Sequence, residues 1–224
     1  MSAVVDWGRR DYVASLEAMR ALVRERRAGR VPDTLILVEH PPVVTVGVEG
    51  DDGSARESGL PVVAVERGGH ATYHGPGQLV GYPIVDLEPR GRDVRRFVHD
   101  IEELVVRAIA ELGVTGTHVS GRRGVWVDGQ RKIASIGVAV DHWVTFHGFA
   151  LNVNVDLSAF ERFHPCGFEG TVMTSLARET GRPVTLADVQ PHVVRAWQAL
   201  FDRAPDAGLV TPATAPSARL RAPS

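Results

Sequence analysis

Cysteine is almost missing from this chain: Cys166 stands alone, which excludes an internal disulfide framework and any zinc cluster built from cysteines. Such usage points to a reducing compartment. Lysine is equally scarce. The sequence holds 25 Lys+Arg residues, and all but Lys132 are arginine. Net charge is nearly absent too, at −2, so the basic footprint of a nucleic-acid binder is not there. No stretch approaches the ~18 uninterrupted apolar residues of a membrane span, and the start from Met1 to Trp7 lacks the apolar region of a signal peptide. The expectation is a soluble, cytoplasmic protein whose partners are small molecules or other proteins, with no nucleic acid and no membrane.

What is present suits one core of ordinary size. With 224 residues and 44% hydrophobic content, residues 1–203 are expected to form a single domain. The tail, residues 204–224, is rich in Ala, Pro, Thr and Ser without periodicity, and is expected to be disordered. Apolar residues at helical spacing between Arg10 and Arg27, and again from Val94 to Leu112, predict two amphipathic helices with Gly29 and Gly113 as stops. Thr34–Val38, Val43–Val46, Val62–Val65 and Tyr82–Leu87 read as strands. The first two are joined by a His40-Pro41-Pro42 turn. From Thr117 to Val155 the period changes to two around an Asp128-Gly129 turn, a hairpin signal. Thr185 followed by Asp188 resembles a weakened capping box opening a last helix to about Phe201, with Pro191 in its first turns. Hairpin-linked strands with helices outside predict an α+β fold with a sheet layered by helices.

Three segments could carry chemistry. Cys166 sits in His164-Pro165-Cys166-Gly167, a bend that can present a thiol to a substrate, although a lone cysteine also serves as a small buried hydrophobe. The reactive form is the thiolate, which a neighbouring cation favours. Arg67 to Gln78 packs four glycines and two histidines into twelve residues; a plain turn explains the glycines but not the polar side chains beside them, so this segment is read as facing a ligand. It is neither a P-loop nor a dinucleotide fingerprint. Lys132 opens Lys-Ile-Ala-Ser-Ile-Gly-Val, whose small residues leave room above a strand. A solvated hairpin lysine is the plain alternative. Arginine cannot give up a proton near neutrality, whereas lysine can. Thr145 to Val153 is a further informative strand, with Gly148 where a side chain is normal. His164 and Cys166 lack a second ligand pair at a known spacing, so zinc is not expected. His40, His99, His118, His142 and His192 show no grouping and default to surface or satisfied positions.

Taken together, RGGHATYHGPGQLVGYPI from Arg67 to Ile84, GVWV and KIASIGV to Val138, HGFALNV from His147, and PCG at Pro165 resemble the lipoyl(octanoyl) transferase family over roughly Thr34 to Leu176. The resemblance implies a biotin/lipoyl protein ligase fold with a mixed, largely antiparallel sheet. It implies transfer of an octanoyl group from octanoyl-acyl carrier protein to a lysine of apo lipoyl domains, those of 2-oxoacid dehydrogenases and the glycine cleavage H protein, through a thioester on Cys166. Lys132 matches the family's paired lysine. No ATP or metal is implied. Ligand contacts carried over residue by residue fall on Arg67, Gly68, Gly69, His70, Ala71, Thr72, Tyr73 and His74, on Ser135, Ile136 and Gly137, and on Gly148, Phe149 and Ala150. An acyl groove floored by Ala134, Ser135, Gly137, Gly148 and Ala150 is expected, with exposed Arg122, Arg123 and Arg131 steering acidic carriers. Phe163-His164 departs from the family pattern. Two rivals remain: an ATP-dependent lipoate or biotin ligase, which needs no cysteine nucleophile, and a non-catalytic acyl-binding relative.

Overall fold

The structure, a computed structural model, describes residues 2–51, 53–162 and 172–202. Its frame is a seven-stranded mixed sheet. In chain order the strands are β1 (Ala3–Arg9), β2 (Thr34–Glu39), β6 (Gln78–Ile84), β7 (Gly116–Val119), β8 (Arg122–Val127), β9 (Arg131–Asp141) and β10 (Val144–Asn152). They lie side by side in the order β1-β2-β6-β10-β9-β8-β7. Only the β1–β2 pair is parallel within this sheet. A second sheet of three strands, β4 (Val62–Ala64), β3 (Val43–Val46) and β5 (Ala71–His74), packs beside it.

Side-chain alternation divides the core between the two faces of the large sheet. Leu35, Leu37, Leu79, Phe149 and Leu151 point to one face, which α3 (Val94–Ala110) and α5 (Leu186–Phe201) cover through Ile101, Leu104, Val193 and Trp197. Ile36, Val38, Val80, Tyr82, Ile84 and Ala150 point to the other, under α1 (Tyr12–Arg27) and its Leu16, Met19 and Val23. A smaller core joins Val44, Ala71, Tyr73, Phe160 and Met173 between the small sheet and the 3₁₀ segment Leu157–Arg162. The helix caps follow their local chemistry. Asp11 and Asp93 accept backbone N–H bonds from Ala14 and Arg96, and Thr185 with Asp188 forms a complete reciprocal box.

Most predicted elements are present. β2 and β3 belong to different sheets, so the His40-Pro41-Pro42 turn carries the chain from one sheet to the other. There are four differences, the first being that the strand expected over Tyr82–Leu87 runs Gln78–Ile84. The segment read as a ligand-facing loop contains β5, because Ala71 to His74 pair with Val46 to Val43. The first residues form β1, an edge strand with only half-buried or exposed side chains and hence no strong hydrophobic pattern. Two short helices, α2 (Ser54–Glu57) and α4 (Leu176–Thr180), were also not anticipated. The predicted tail lies outside the described residues. Among the described residues no helix is long and apolar enough to cross a membrane.

Candidate active site

Two clefts adjoin each other, sharing Gly69 and Ile136 in their walls. The first lies between α1, the β9–β10 pair and the small sheet. Its floor exists because β9 and β10 pair Ser135 with Ala150 and Gly137 with Gly148 in direct register, placing small residues opposite each other. Gly137 has a definite packing reason: a Cβ there would meet the Gly68 carbonyl oxygen at 2.8 Å and the Arg67 Cδ at 3.0 Å. The Arg67–Gly69 backbone thus rests directly on the strand, and Gly68 N–H donates to the Val138 carbonyl. Gly148 serves the sheet instead, since a side chain would strike Gly81 and Pro83 of β6.

Ten of the fourteen predicted ligand residues line this cleft: Arg67, Gly69, Thr72, His74, Ser135, Ile136, Gly137, Gly148, Phe149 and Ala150. The strand period explains two of the other four. On β5, Thr72 and His74 face the cleft while Ala71 and Tyr73 point into the small core. His70 lines the second cleft, and Gly68 contributes its backbone contact to β9. Ala134, expected in the floor, belongs to the main core on the opposite face.

The buried polar groups of the first cleft are tightly organised. Arg67 donates from Nη2 to the Thr45 carbonyl and hydroxyl oxygens, both at 2.8 Å. His74 shares a 2.8 Å hydrogen bond with Gln78, whose amide donates to the Tyr73 carbonyl and to Asn152. Four residues outside the expected ligand set complete the wall: Tyr12, Val80, Tyr82 and His147. His40 stands behind them, buried and hydrogen-bonded to Tyr82 Oη at 2.7 Å and to the Arg10 carbonyl; its side chain is satisfied as expected, but it is grouped with His74, 5.9 Å away between ring centroids. His147 takes a left-handed backbone, φ 56°, a conformation uncommon outside glycine and asparagine. Its Nε2, the Ser135 hydroxyl and the Thr72 hydroxyl are buried without a hydrogen-bond partner.

Burial dominates the electrostatics here. It pushes His74 well below the ordinary imidazole value, lowers His40, and lowers His147 to about 4. It drives the Tyr12 and Tyr82 hydroxyls up. The cleft is therefore neutral in its histidines and tyrosines at pH 7, with Arg67 as its cation.

Lys132 lines the second cleft with Arg122, Arg123, His70 and Glu102. Only 2% of its surface is exposed, and the ammonium lies over the Trp126 ring at 5.6 Å. Gly124, at φ 116°, makes room for it: a Cβ there would meet the Ala134 carbonyl oxygen at 2.5 Å and Lys132 Cε at 2.8 Å. Met173 forms a parallel bridge with Lys132, and Thr174 N–H donates to the Lys132 carbonyl at 3.0 Å. Cys166 and the Phe163-His164 departure lie outside the described residues. Of the three arginines expected to steer partners, Arg131 is occupied, forked onto Glu179 and paired with Asp128. Arg122 and Arg123 also line this cleft and are exposed, Arg122 with its guanidinium over the Trp126 ring at 5.4 Å and Arg123 at 3.7 Å from Glu49.

The histidines judged ungrouped include a second exception. His99 and His118 lie with ring centroids 4.7 Å apart, beside Glu102. They come from different elements, α3 and β7, so no local spacing announces them.

Residues 11–198 match the lipoyl protein ligase A/B catalytic domain family. An octanoyltransferase of Syntrophotalea carbinolica is 48% identical over 198 residues, spanning 88% of this chain and 93% of its own. Among solved structures, a lipoate-protein ligase A bound with ATP superposes with a TM-score of 0.74 at 17% identity, covering 90% of this chain and 85% of its own. A biotin protein ligase from Aquifex aeolicus in complex with biotin and ATP gives 0.56 at 12% identity, over 90% and 70%. These two likenesses place the fold in the biotin and lipoyl ligase group, and the sequence relationship is the narrower one: the chain belongs to the lipoyl(octanoyl) transferase family.

Proposed function

We propose that residues 1–203 form one catalytic domain that moves an octanoyl group from octanoyl-acyl carrier protein to a lysine of an apo lipoyl domain, with Cys166 as nucleophile and Lys132 as its acid and base. The observation that carries this reading is the setting of Lys132. The one lysine of the sequence is buried in the wall of a cleft that adjoins the one lined by most of the expected ligand residues, and Thr174, eight positions after Cys166, is hydrogen-bonded to its carbonyl.

The chemistry balances without a cofactor. A Cys166 thiolate attacks the octanoyl thioester carbon, a new carbon–sulfur bond forms, and the carrier's thiol leaves with a proton from the Lys132 ammonium. The neutral Lys132 amine then takes a proton from the incoming lysine as that nitrogen attacks, and the thiolate is released as the amide forms. A thioester is exchanged for a thioester and then for an amide, so no nucleotide or metal has a step to drive. The octanoyl tail lies along Val80, Ile136, Gly137 and Ala150, with Arg67 to Gly69 over it. Arg122 and Arg123 at the mouth suit acidic carriers and lipoyl domains, and the site of action is the cytoplasm.

Transfer from octanoyl-acyl carrier protein to an apo lipoyl domain, followed by the mass of the acceptor, tests this. Acylation without nucleotide that is lost in Cys166→Ser supports the transferase. Acylation that requires octanoate plus ATP and survives Cys166→Ser overturns it in favour of a ligase, and binding without turnover in favour of a non-catalytic relative.

A further inference from the structure

The outer edge of the Lys132 cleft carries side chains that acyl transfer does not use. His99 and Glu102 stand three positions apart on α3 and so share a helix face, while His118 on β7 packs against them. One ligand atom from each lies within 4.8 Å of the other two. His118 Nδ1 approaches Glu102 Oε2 at 3.2 Å. The other Glu102 oxygen accepts the Gly124 backbone N–H at 2.8 Å, which fixes the carboxylate. The far ring nitrogen of His118 faces Glu103 Oε2 at 3.5 Å, and Arg107 holds Glu103 at 2.7 Å.

Two imidazole nitrogens and one carboxylate oxygen suit a borderline divalent ion such as Zn²⁺ or Ni²⁺, whereas Mg²⁺ and Ca²⁺ favour oxygen-only sets. A carboxylate behind the ligating imidazole and a backbone amide behind the ligating carboxylate are the outer contacts by which metal ligands are oriented. A plain ion pair would explain Glu102, Glu103 and a protonated His118, but not the approach of a second imidazole to within stacking distance.

We propose that His99, Glu102 and His118 form a binding site for one zinc-class divalent cation, with its remaining positions open to water, at the rim of the Lys132 cleft. Because Glu102 also lines that cleft, an ion there places positive charge beside the mouth through which carriers enter. The inference concerns binding alone and stands whether or not the chain transfers octanoyl groups.

Calorimetric titration of Zn²⁺ into the full chain, repeated with Mg²⁺, tests it. The expected result is one Zn²⁺ per chain and no Mg²⁺ uptake, with affinity falling at least about tenfold in His99→Ala and in His118→Ala. Both histidines are exposed, and unchanged circular dichroism of the variants, with His99→Gln as a milder second change, separates ligand loss from misfolding. Binding should persist in His142→Ala and in Cys166→Ser. Absence of saturable Zn²⁺ binding, its survival in both histidine variants, or its disappearance in Cys166→Ser would overturn the site.

Discussion

Thr174 donates its backbone N–H to the carbonyl of Lys132 at 3.0 Å, and Met173 bridges the same residue in parallel. Met173 and Thr174 are thereby registered on β9 at the lysine. A register fixed by backbone bonds in a buried place is hard to slip, so Met173 and Thr174 are held at Lys132 by the fold and not by sequence proximity.

Lys132→Arg keeps the charge and removes the base. Turnover is expected to fall at least about a hundredfold, the usual scale for a lost general acid or base, with thioester formation and amide formation both slowed. The larger guanidinium must also fit a site with 2% exposure beside Trp126, so the melting temperature is read alongside. Near-normal rates would show that charge alone suffices there.

Gly137→Ala is expected to disturb the Arg67–Gly69 cover, since its Cβ would press on the Gly68 carbonyl at 2.8 Å. Backbone cannot rotate aside as a flexible side chain can. Overpacking of this kind costs about 1–3 kcal/mol, readable in urea melts, together with weaker acyl-donor saturation. The substitution therefore acts on stability and on the cleft at once; unchanged melts would mean that the loop does not rest on β9.

Acid should loosen the first cleft before it affects surface carboxylates. His74, His40 and His147 are held neutral by burial, His147 with its value lowered from 6.5 to about 4. Between those values the unfolded chain binds more protons than the folded one, so stability is full above pH 6.5 and is lost as pH falls toward 4. For His147 this is on the order of 3 kcal/mol. Chemical denaturation at pH 7.5 and pH 5 checks it, with lower stability expected at pH 5; equal stability would require a compensating contact to the imidazolium.

Arg123→Glu should slow carrier association and flatten its salt dependence, because this side chain is half exposed at the mouth with only a 3.7 Å pairing to Glu49. Arg131→Ala should leave association unaffected, its guanidinium being committed to Glu179 and Asp128. Stopped-flow association rates at two ionic strengths distinguish them; equal sensitivity of the two variants would remove the steering role.

The long helices, the β7–β10 meander and the glycine-rich cover of the first cleft were legible because their signals are local, whereas the residue-by-residue lining came through the family resemblance. α3 repeats Phe97, Ile101, Leu104, Val105 and Ala108 at helical spacing, and glycines at positions 68, 69 and 137 announce close backbone approach. What escaped depends on alternation and long-range meeting. Tyr12 in a helix and Tyr82 in a strand read as core residues until α1 is laid over β6. Ala71 and Tyr73 sit among ligand-facing neighbours in sequence but on the opposite side of β5 in space. His99 and His118 meet only because α3 packs on β7. β1 was missed for lack of a buried face.

The central claim is that acyl transfer passes through sulfur at Cys166. Intact-protein mass measurement after exposure to octanoyl-acyl carrier protein without nucleotide tests it most directly. The account predicts a gain of one octanoyl group, located on Cys166 by peptide mapping, absent in Cys166→Ser and discharged by an apo lipoyl domain. A wild-type enzyme that acylates its acceptor while never carrying the group on Cys166 would contradict it.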